Sequence, residues 1–337
     1  MRDAFAQRVI GSLAGVAIGD AMGMPCEFLT REQIQQRYGR LASFVSPDPG
    51  HYHKGLKRGQ ITDDTEQTIE VIRALVRHGR LTPETAADAY LKWARDYNAF
   101  ESTVLGPSSR KALERLIRGE DPRVTGEHGD TVGAAMRVAP IGLVNAGRLQ
   151  DAADECYASC LPTHGVSIAI GGACAIACAV AAAAAADTLD EVIDAAIWGA
   201  SYGEALGVKW AGASVAARIR LALRIVRETP DVMRAEDELY LTCGVGMAPT
   251  ELVPTAIGIV ALHDGDCAKS IESAVNMGGD TDTLASMVGA ITGAYRGIDA
   301  LPEEWIRLVQ DINDLDLRDL ADQLVLVREG RLNHGRS

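Results

Sequence analysis

Two short stretches carry the densest oxygen chemistry in this 337-residue chain. The first is Ile61-Thr62-Asp63-Asp64-Thr65-Glu66, directly ahead of a run that places Ile69, Ile72, Leu75 and Val76 on one helical face. The second is Gly278-Gly279-Asp280-Thr281-Asp282-Thr283, leading into a run through Leu284 and Met287. Taken singly, each reads as a well-capped helix. Thr62 or Asp63 suits an N-cap, and acids in a first turn complement the helix dipole. Taken together, they offer a donor set. Hard divalent cations take oxygen ligands from carboxylates and hydroxyls. Four carboxylates with flanking Thr hydroxyls, delivered from two helix starts, suit a pair of such ions, and paired ions activate a water and clamp substrate oxygens.

Two helix starts need a helical scaffold to bring them together, and the rest of the sequence reads as one. Helices are expected at 4–20, 31–38, 64–78, 83–97, 108–118, 131–146, 150–160, 165–186, 188–202, 207–227, 250–263, 266–275, 282–296, 303–313 and 318–328. Residues 41–61, rich in Gly, Pro, His and Lys, read as a loop. No alternating run supports a strand, and no repeat or linker divides the chain. The expectation is an all-α, compact single domain over residues 1–330, with a short tail at 331–337. Gly11, Gly15 and Gly19 share one helical face, and Gly289 and Gly293 do the same near the end of the chain. Each glycine costs about 1 kcal/mol against alanine in a helix interior. Their recurrence at one spacing predicts close backbone packing, with the two helices against each other.

Composition narrows the partners. Hydrophobic residues are 47% of the chain but aromatics only 5%, so alanine must fill much of the core. A net charge of −13 argues against nucleic acid and against an anionic membrane surface. Residues 168–186 run without a charge for about the length of a membrane span. Alanine and glycine dominate that run and no basic cluster flanks it, which predicts a buried central helix. The first residues lack the apolar core of a signal peptide. Seven cysteines in no secreted-scaffold spacing suggest reduced thiols and a cytoplasmic protein. Cys156, Cys160 and His164 share a helical spacing that zinc could use, but a fourth ligand is missing.

At this level of detail the chain resembles the ADP-ribosylglycohydrolases. Gly11 through Gly23 looks like the family's opening helix, followed by Glu27 and Phe28. Gly59-Gln60-Ile61-Thr62-Asp63-Asp64-Thr65 and Gly278 through Thr283 resemble its two metal motifs. Gly133-Ala134-Ala135-Met136-Arg137-Val138-Ala139-Pro140-Ile141-Gly142 resembles a central pocket motif, and Thr163-His164 precedes the Ala-rich helix as in relatives. The resemblance implies a helical domain with a cleft for two Mg2+ or Mn2+ ions, ligated by Thr62, Asp63, Asp64, Asp280, Asp282 and Thr283. It implies a metal-dependent glycosidase that cleaves an ADP-ribosyl bond by a metal-activated water. Asp63 or Asp282 would take the proton from water, and Glu27, on a mobile loop, would gate the site or protonate the leaving group. The substrate would be a small ribosyl or ADP-ribosyl compound, or such a group on a modified protein.

Substrate contacts are expected from Asp130, Val132, Gly133, Met136, Arg137 and His164. One departure matters here. Relatives usually carry Ser-x-Gly-Asn-Gly ahead of Ala-Ala-Met-Arg, where this chain reads Gly129-Asp130-Thr131-Val132-Gly133. A Gly/Asn loop can present N–H groups to a diphosphate, and an aspartate facing the pocket would repel one. A nucleoside-type N-ribosyl hydrolase acting on a small riboside is therefore an alternative. Some relatives serve as lens proteins, so a non-catalytic crystallin-like role is a second alternative, opposed by the intact metal positions. His51, Tyr52 and His53 are expected to contact substrate, and Ser108 and Ser109 to cap the helix that follows.

Overall fold

A computed structural model describes residues 2–334. Among them the chain forms sixteen α-helices, and the only β pairing is an isolated bridge between Val166 and Val208. In chain order the helices are α1 (Arg2–Gly23), α2 (Arg31–Tyr38), α3 (Asp63–His78), α4 (Pro83–Asp96), α5 (Pro107–Ile117), α6 (Ala139–Val144), α7 (Leu149–Cys160) and α8 (Ser167–Ala183). There follow α9 (Leu189–Glu204), α10 (Val215–Glu228), α11 (Val232–Thr242), α12 (Pro249–Leu262), α13 (Cys267–Val275), α14 (Thr281–Arg296), α15 (Glu303–Asn313) and α16 (Leu317–His334). The segment 41–61 is irregular, as its composition predicts.

The centre of the molecule is built on small residues. On α1, Gly11, Gly15 and Gly19 lie against the backbone of Gly293, Gly289 and Ala285 of α14. The pairings climb one helix while descending the other, so the two run antiparallel. A β-carbon at any of these glycines would enter the opposite backbone. On the other side of the core, Gly199 and Gly203 of α9 seat on the backbone of α8 at Cys174 and Ile170. Every residue of α8 is buried, which accounts for an alanine-rich run that looks membrane-like in sequence. Segment Ala4–Cys26 also has the length and apolarity to cross a bilayer, and its most apolar window is wholly buried in the protein. Alanine and glycine interfaces let backbones approach closely, and this replaces the large aromatics that the composition lacks.

The structure departs from the sequence expectations in four places. The helix expected at 131–146 is a 3-10 turn over Val132–Arg137 followed by α6. Pro140 explains the break, because it lacks an N–H and restricts the residue before it. The helix expected from 207 starts only at Val215, where the Ser214 hydroxyl accepts from the Ala217 N–H at 3.1 Å. Gly207, at φ 66°, belongs to the loop before it. Helix α11, absent from the expectations, is capped by Asp231 and buries only Ala235, Glu236 and Leu239, too narrow a stripe to read as a helix face. Finally, the helix expected at 318–328 spans Leu317–His334, and Arg331 near its end pairs with the buried Glu155 at 2.7 Å.

Candidate active site

Helix α1 organises both acidic motifs. Asp20 lies in its last turns and is wholly buried. Its carboxylate accepts the Thr62 N–H at 3.0 Å and the Thr62 hydroxyl at 2.7 Å, together with the N–H and hydroxyl of Thr65. Thr62 sits at the N-cap of α3 by position, yet its side chain caps nothing. The capping oxygen comes instead from Asp20, which leaves Asp63 and Asp64 free to face the cleft. Burial raises the Asp20 pKa despite these four donors.

Three residues later, Gly23 receives the second motif. The Thr281 hydroxyl donates to the Gly23 carbonyl at 2.9 Å, and a β-carbon at Gly23 would fall 2.6 Å from Asp282 Cα. The turn ahead of α14 needs glycine, with Gly278 at φ 78° and Gly279 at φ 72°. It is tied to the Glu27 loop by two backbone bonds, Phe28 N–H to Gly279 O at 2.6 Å and Gly279 N–H to Leu29 O at 2.9 Å.

These elements enclose a cleft of about 60 Å³. Glu27, Asp63, Asp64, Asp280, Asp282 and Thr283 line its acidic side, and Ser109, Thr131, Val132, Gly133, Met136 and Met247 line the rest. An adjoining chamber of about 250 Å³ shares Glu27, Asp63, Val104, Gly106 and Met247, and adds Phe28, Tyr52 and His53. Neither lining contains a Lys or Arg. The two motifs meet where the Thr283 hydroxyl lies 3.4 Å from Asp64 Oδ2, while Asp64 Oδ1 is buried with no hydrogen-bond partner. Asp63 Oδ2 accepts from Gln67 at 3.0 Å, and Asp282 Oδ1 from the Thr283 N–H at 2.9 Å. Glu27, His53 and Asp282 each bring a ligand atom within 4.8 Å of the others, making them a candidate metal group.

Burial and mutual repulsion push the Asp63, Asp64 and Asp282 pKa values well above the usual carboxylate range. Burial is also the main reason that Asp280 is raised to about 7, with the Glu27 charge adding to it. Acids gathered this densely, with no cationic side chain in the lining, are the environment that a divalent cation stabilises. The residues present therefore fit such ions, and the orphaned Asp64 oxygen is the most direct sign of it.

Five of the six expected ligands, Asp63, Asp64, Asp280, Asp282 and Thr283, line this cleft with Glu27, while the Thr62 hydroxyl is turned to Asp20. His51 and His53, expected to contact substrate, are partners of Glu27. His53 Nε2 lies 2.7 Å from Glu27 Oε2, and His51 Nε2 lies 2.8 Å from the Glu27 carbonyl. Partial burial and the nearby Glu27 charge raise the Tyr52 hydroxyl pKa. Of the expected substrate contacts, Val132, Gly133 and Met136 line the cleft. Asp130, Arg137 and His164 do not.

Asp130 lies part-exposed in the preceding turn, so its charge does not line the cleft. The Val132 N–H is already bonded to Met247 O at 2.9 Å. Arg137 is buried behind the cleft, its guanidinium 3.7 Å from the centre of the Tyr90 ring, donating to Gln67 and Thr163. His164 is held by Thr163 at 2.8 Å and Thr131 at 3.1 Å, and burial with the nearby Arg137 charge lowers its pKa well below the ordinary value. Arg137 thus reaches Asp63 through Gln67, a positioning role that the motif alone did not reveal. Helix α5 is capped at Gly106 with no side-chain bond, and Ser109 faces the cleft instead of capping. Cys156 and Cys160 are core thiols, and they form no metal group with His164 among the described residues. The sequence reading missed Asp20. Its signal was a lone acid in an otherwise apolar helix segment, a placement that requires a dedicated set of donors.

Comparison with known proteins agrees with this geometry. The family model described as ADP-ribosylglycohydrolase matches residues 1–333. The uncharacterized protein YegU of Escherichia coli is 33% identical over 96% of this chain and 98% of its own length. The ADP-ribosyl-[dinitrogen reductase] glycohydrolase of Rhodospirillum rubrum is 26% identical over 94% of this chain and 95% of its own. A solved structure titled ADP-ribosylglycohydrolase-related protein complex shares the fold, with a TM-score of 0.69 at 24% identity over 97% of this chain and 99% of that one. The chain belongs to the ADP-ribosylglycohydrolase family.

Proposed function

We propose that this glycosidase hydrolyses an ADP-ribosyl bond with the help of two divalent ions, Mg2+ or Mn2+, held by Thr62, Asp63, Asp64, Asp280, Asp282 and Thr283. The observation that carries the reading is the buried, unpartnered Asp64 oxygen in a cleft of raised-pKa carboxylates. When bound, the ions supply charge compensation and Lewis acidity toward substrate oxygens. The chain's own groups do the rest. Asp63 or Asp282 accepts the proton as a water oxygen bonds to the anomeric carbon. Glu27, steadied by His53, delivers a proton to the leaving atom as its bond to that carbon breaks. Ser109 and the backbone around Gly133 border the space left for the ribose. The net charge and the acidic lining favour a small-molecule or modified-protein substrate over nucleic acid or a membrane. Seven buried, unpaired thiols support a reducing compartment such as the cytoplasm.

A second reading has its own support. With no Lys or Arg in the lining and the Val132 N–H already used, a diphosphate finds few partners. That favours a nucleoside-type hydrolase acting on a small riboside. Membership of a glycosidase family and six intact ligand positions both weigh against the crystallin-like alternative. The test is a hydrolysis screen of ADP-ribosyl-arginine, ADP-ribosyl-serine, O-acetyl-ADP-ribose and simple ribosides, after chelation and after Mg2+ or Mn2+ is restored. Full activity under chelation would refute the metal-assisted reading, and turnover of simple ribosides alone would select the second.

A further inference from the structure

The chamber beside the acidic cleft has a feature that neither metal binding nor core packing explains. Phe28 follows Glu27 directly and holds φ at 60°, a conformation that costs a bulky side chain energy and that glycine would adopt freely. Its ring is 51% exposed, so burial does not repay that cost. The ring stacks on Tyr52 at 5.6 Å between centroids and 22° between planes, and Tyr52 is itself 37% exposed. Phe28 and Tyr52 line the chamber of about 250 Å³ together with Val104, Leu105 and Pro107. That volume is below the range of about 300–1,000 Å³ typical of drug-sized ligands, so it suits one small ring system.

Resting on the hydrolase reading above, we propose that this chamber is the leaving-group subsite, and that it takes a flat, uncharged heteroaromatic ring stacked against Phe28 and Tyr52. An aromatic wall beside acids could also attract a guanidinium. One oxygen of each carboxylate here is taken, however. Glu27 Oε2 is already bonded to His53, the Glu27 carbonyl to His51, and Asp63 Oδ2 receives Gln67. A neutral ring needs only the aromatic faces and one proton. The Glu27–His53 pair stands in the same lining to deliver that proton as the bond from ring nitrogen to anomeric carbon breaks.

The experiment is a calorimetric titration of Mg2+-loaded protein with free adenine as the ring, and with free arginine and serine as comparators. Adenine should bind the wild type more tightly than either amino acid. Phe28→Gly relieves the backbone and removes the ring, and should weaken adenine binding about tenfold, the upper range for one aromatic pair. Phe28→Leu keeps an apolar side chain but no aromatic face and should weaken it as well, which covers a Gly variant that fails to fold. Equal adenine affinity in wild type and both variants would overturn the subsite, as would tighter binding of arginine than of adenine. Mg2+ binding is read in the same protein. If Mg2+ binds and adenine does not, the subsite falls while the hydrolase reading stands. If Mg2+ does not bind, both fall.

Discussion

Replacing Gly15 by alanine adds one methyl group to the close backbone contact between α1 and α14. The new β-carbon would lie 3.0 Å from Gly289 Cα and closer still to the Gly289 carbonyl. Carbon atoms pack at about 3.5–4.0 Å, so α1 and α14 would have to part by about 1 Å. The obstacle is backbone on both sides, with no flexible side chain to swing away. Overpacking of this kind costs about 1–3 kcal/mol and sometimes more, while alanine returns about 1 kcal/mol of helix propensity. Because neither backbone can yield locally, the upper end applies, and a net loss of about 2 kcal/mol is expected. For a chain of 337 residues that is a fall of about 3 °C in Tm, measured by calorimetry or circular dichroism. Gly330→Ala is the control: its β-carbon would meet nothing within 4 Å, so it should be neutral or slightly stabilising. The double variant Gly15→Ala plus Gly289→Ala should lose less than the sum, because one separation makes room for both methyl groups. A Tm for Gly15→Ala at or above the wild type would refute the reasoning.

Three further outcomes are expected. Asp282→Ala should keep the helical signal and lose at least one bound ion by calorimetry, and full metal stoichiometry would remove it from the ligand set. The rise in Tm caused by Mg2+ should grow as pH increases from about 5 through 7. The buried carboxylates have raised folded-state pKa values, with Asp280 at about 7. Their charge therefore destabilises the metal-free fold as pH rises, and only the ionised form binds metal; a Mg2+ effect that is flat across that range would contradict this. Arg137→Lys cannot keep the two-pronged contact with Gln67 and Thr163 or the stacking on Tyr90, and should cost about 1.5–3 kcal/mol of stability. Loosening Gln67 should also weaken Mg2+ binding, whereas a purely structural role for Arg137 would leave the metal affinity of the folded variant unchanged.

Much of this was legible in the sequence because it depends on local pattern. Gly11, Gly15 and Gly19 and their counterparts Gly289 and Gly293 show their spacing directly, and the structure sets them face to face. The two acidic motifs were legible as helix starts, and they are the starts of α3 and α14. What escaped depends on tertiary geometry. Arg137 and Val132 are near neighbours in one short 3-10 turn, yet one stacks on Tyr90 behind the cleft and the other lines it. Ser109 looked like a cap because caps are the commonest use of such a serine, and only the fold shows it facing the cleft. Helix α11 escaped for the opposite reason, since most of its surface stays exposed and its periodicity is faint.

The placement of Asp20 and Gly23 explains why so close an interface lies under a site of mutually repelling acids. Bringing Asp63, Asp64, Asp280 and Asp282 together opposes folding when they are charged, and their raised pKa values are the measure of it. Something rigid must therefore hold the two motifs at a fixed separation before any ion is present. Asp20 grips the first motif through four donors on Thr62 and Thr65, and Gly23 seats the second against Thr281 and Asp282. Both anchors stand on α1, and α1 is locked to α14 by glycine contacts that leave no slack. A shift along that interface would carry the second motif past Gly23 and away from the first, so the glycine packing sets the distance between the two halves of the cleft. On this account the interface is part of the site, and Gly15→Ala should weaken metal binding even in the fraction of molecules that remains folded.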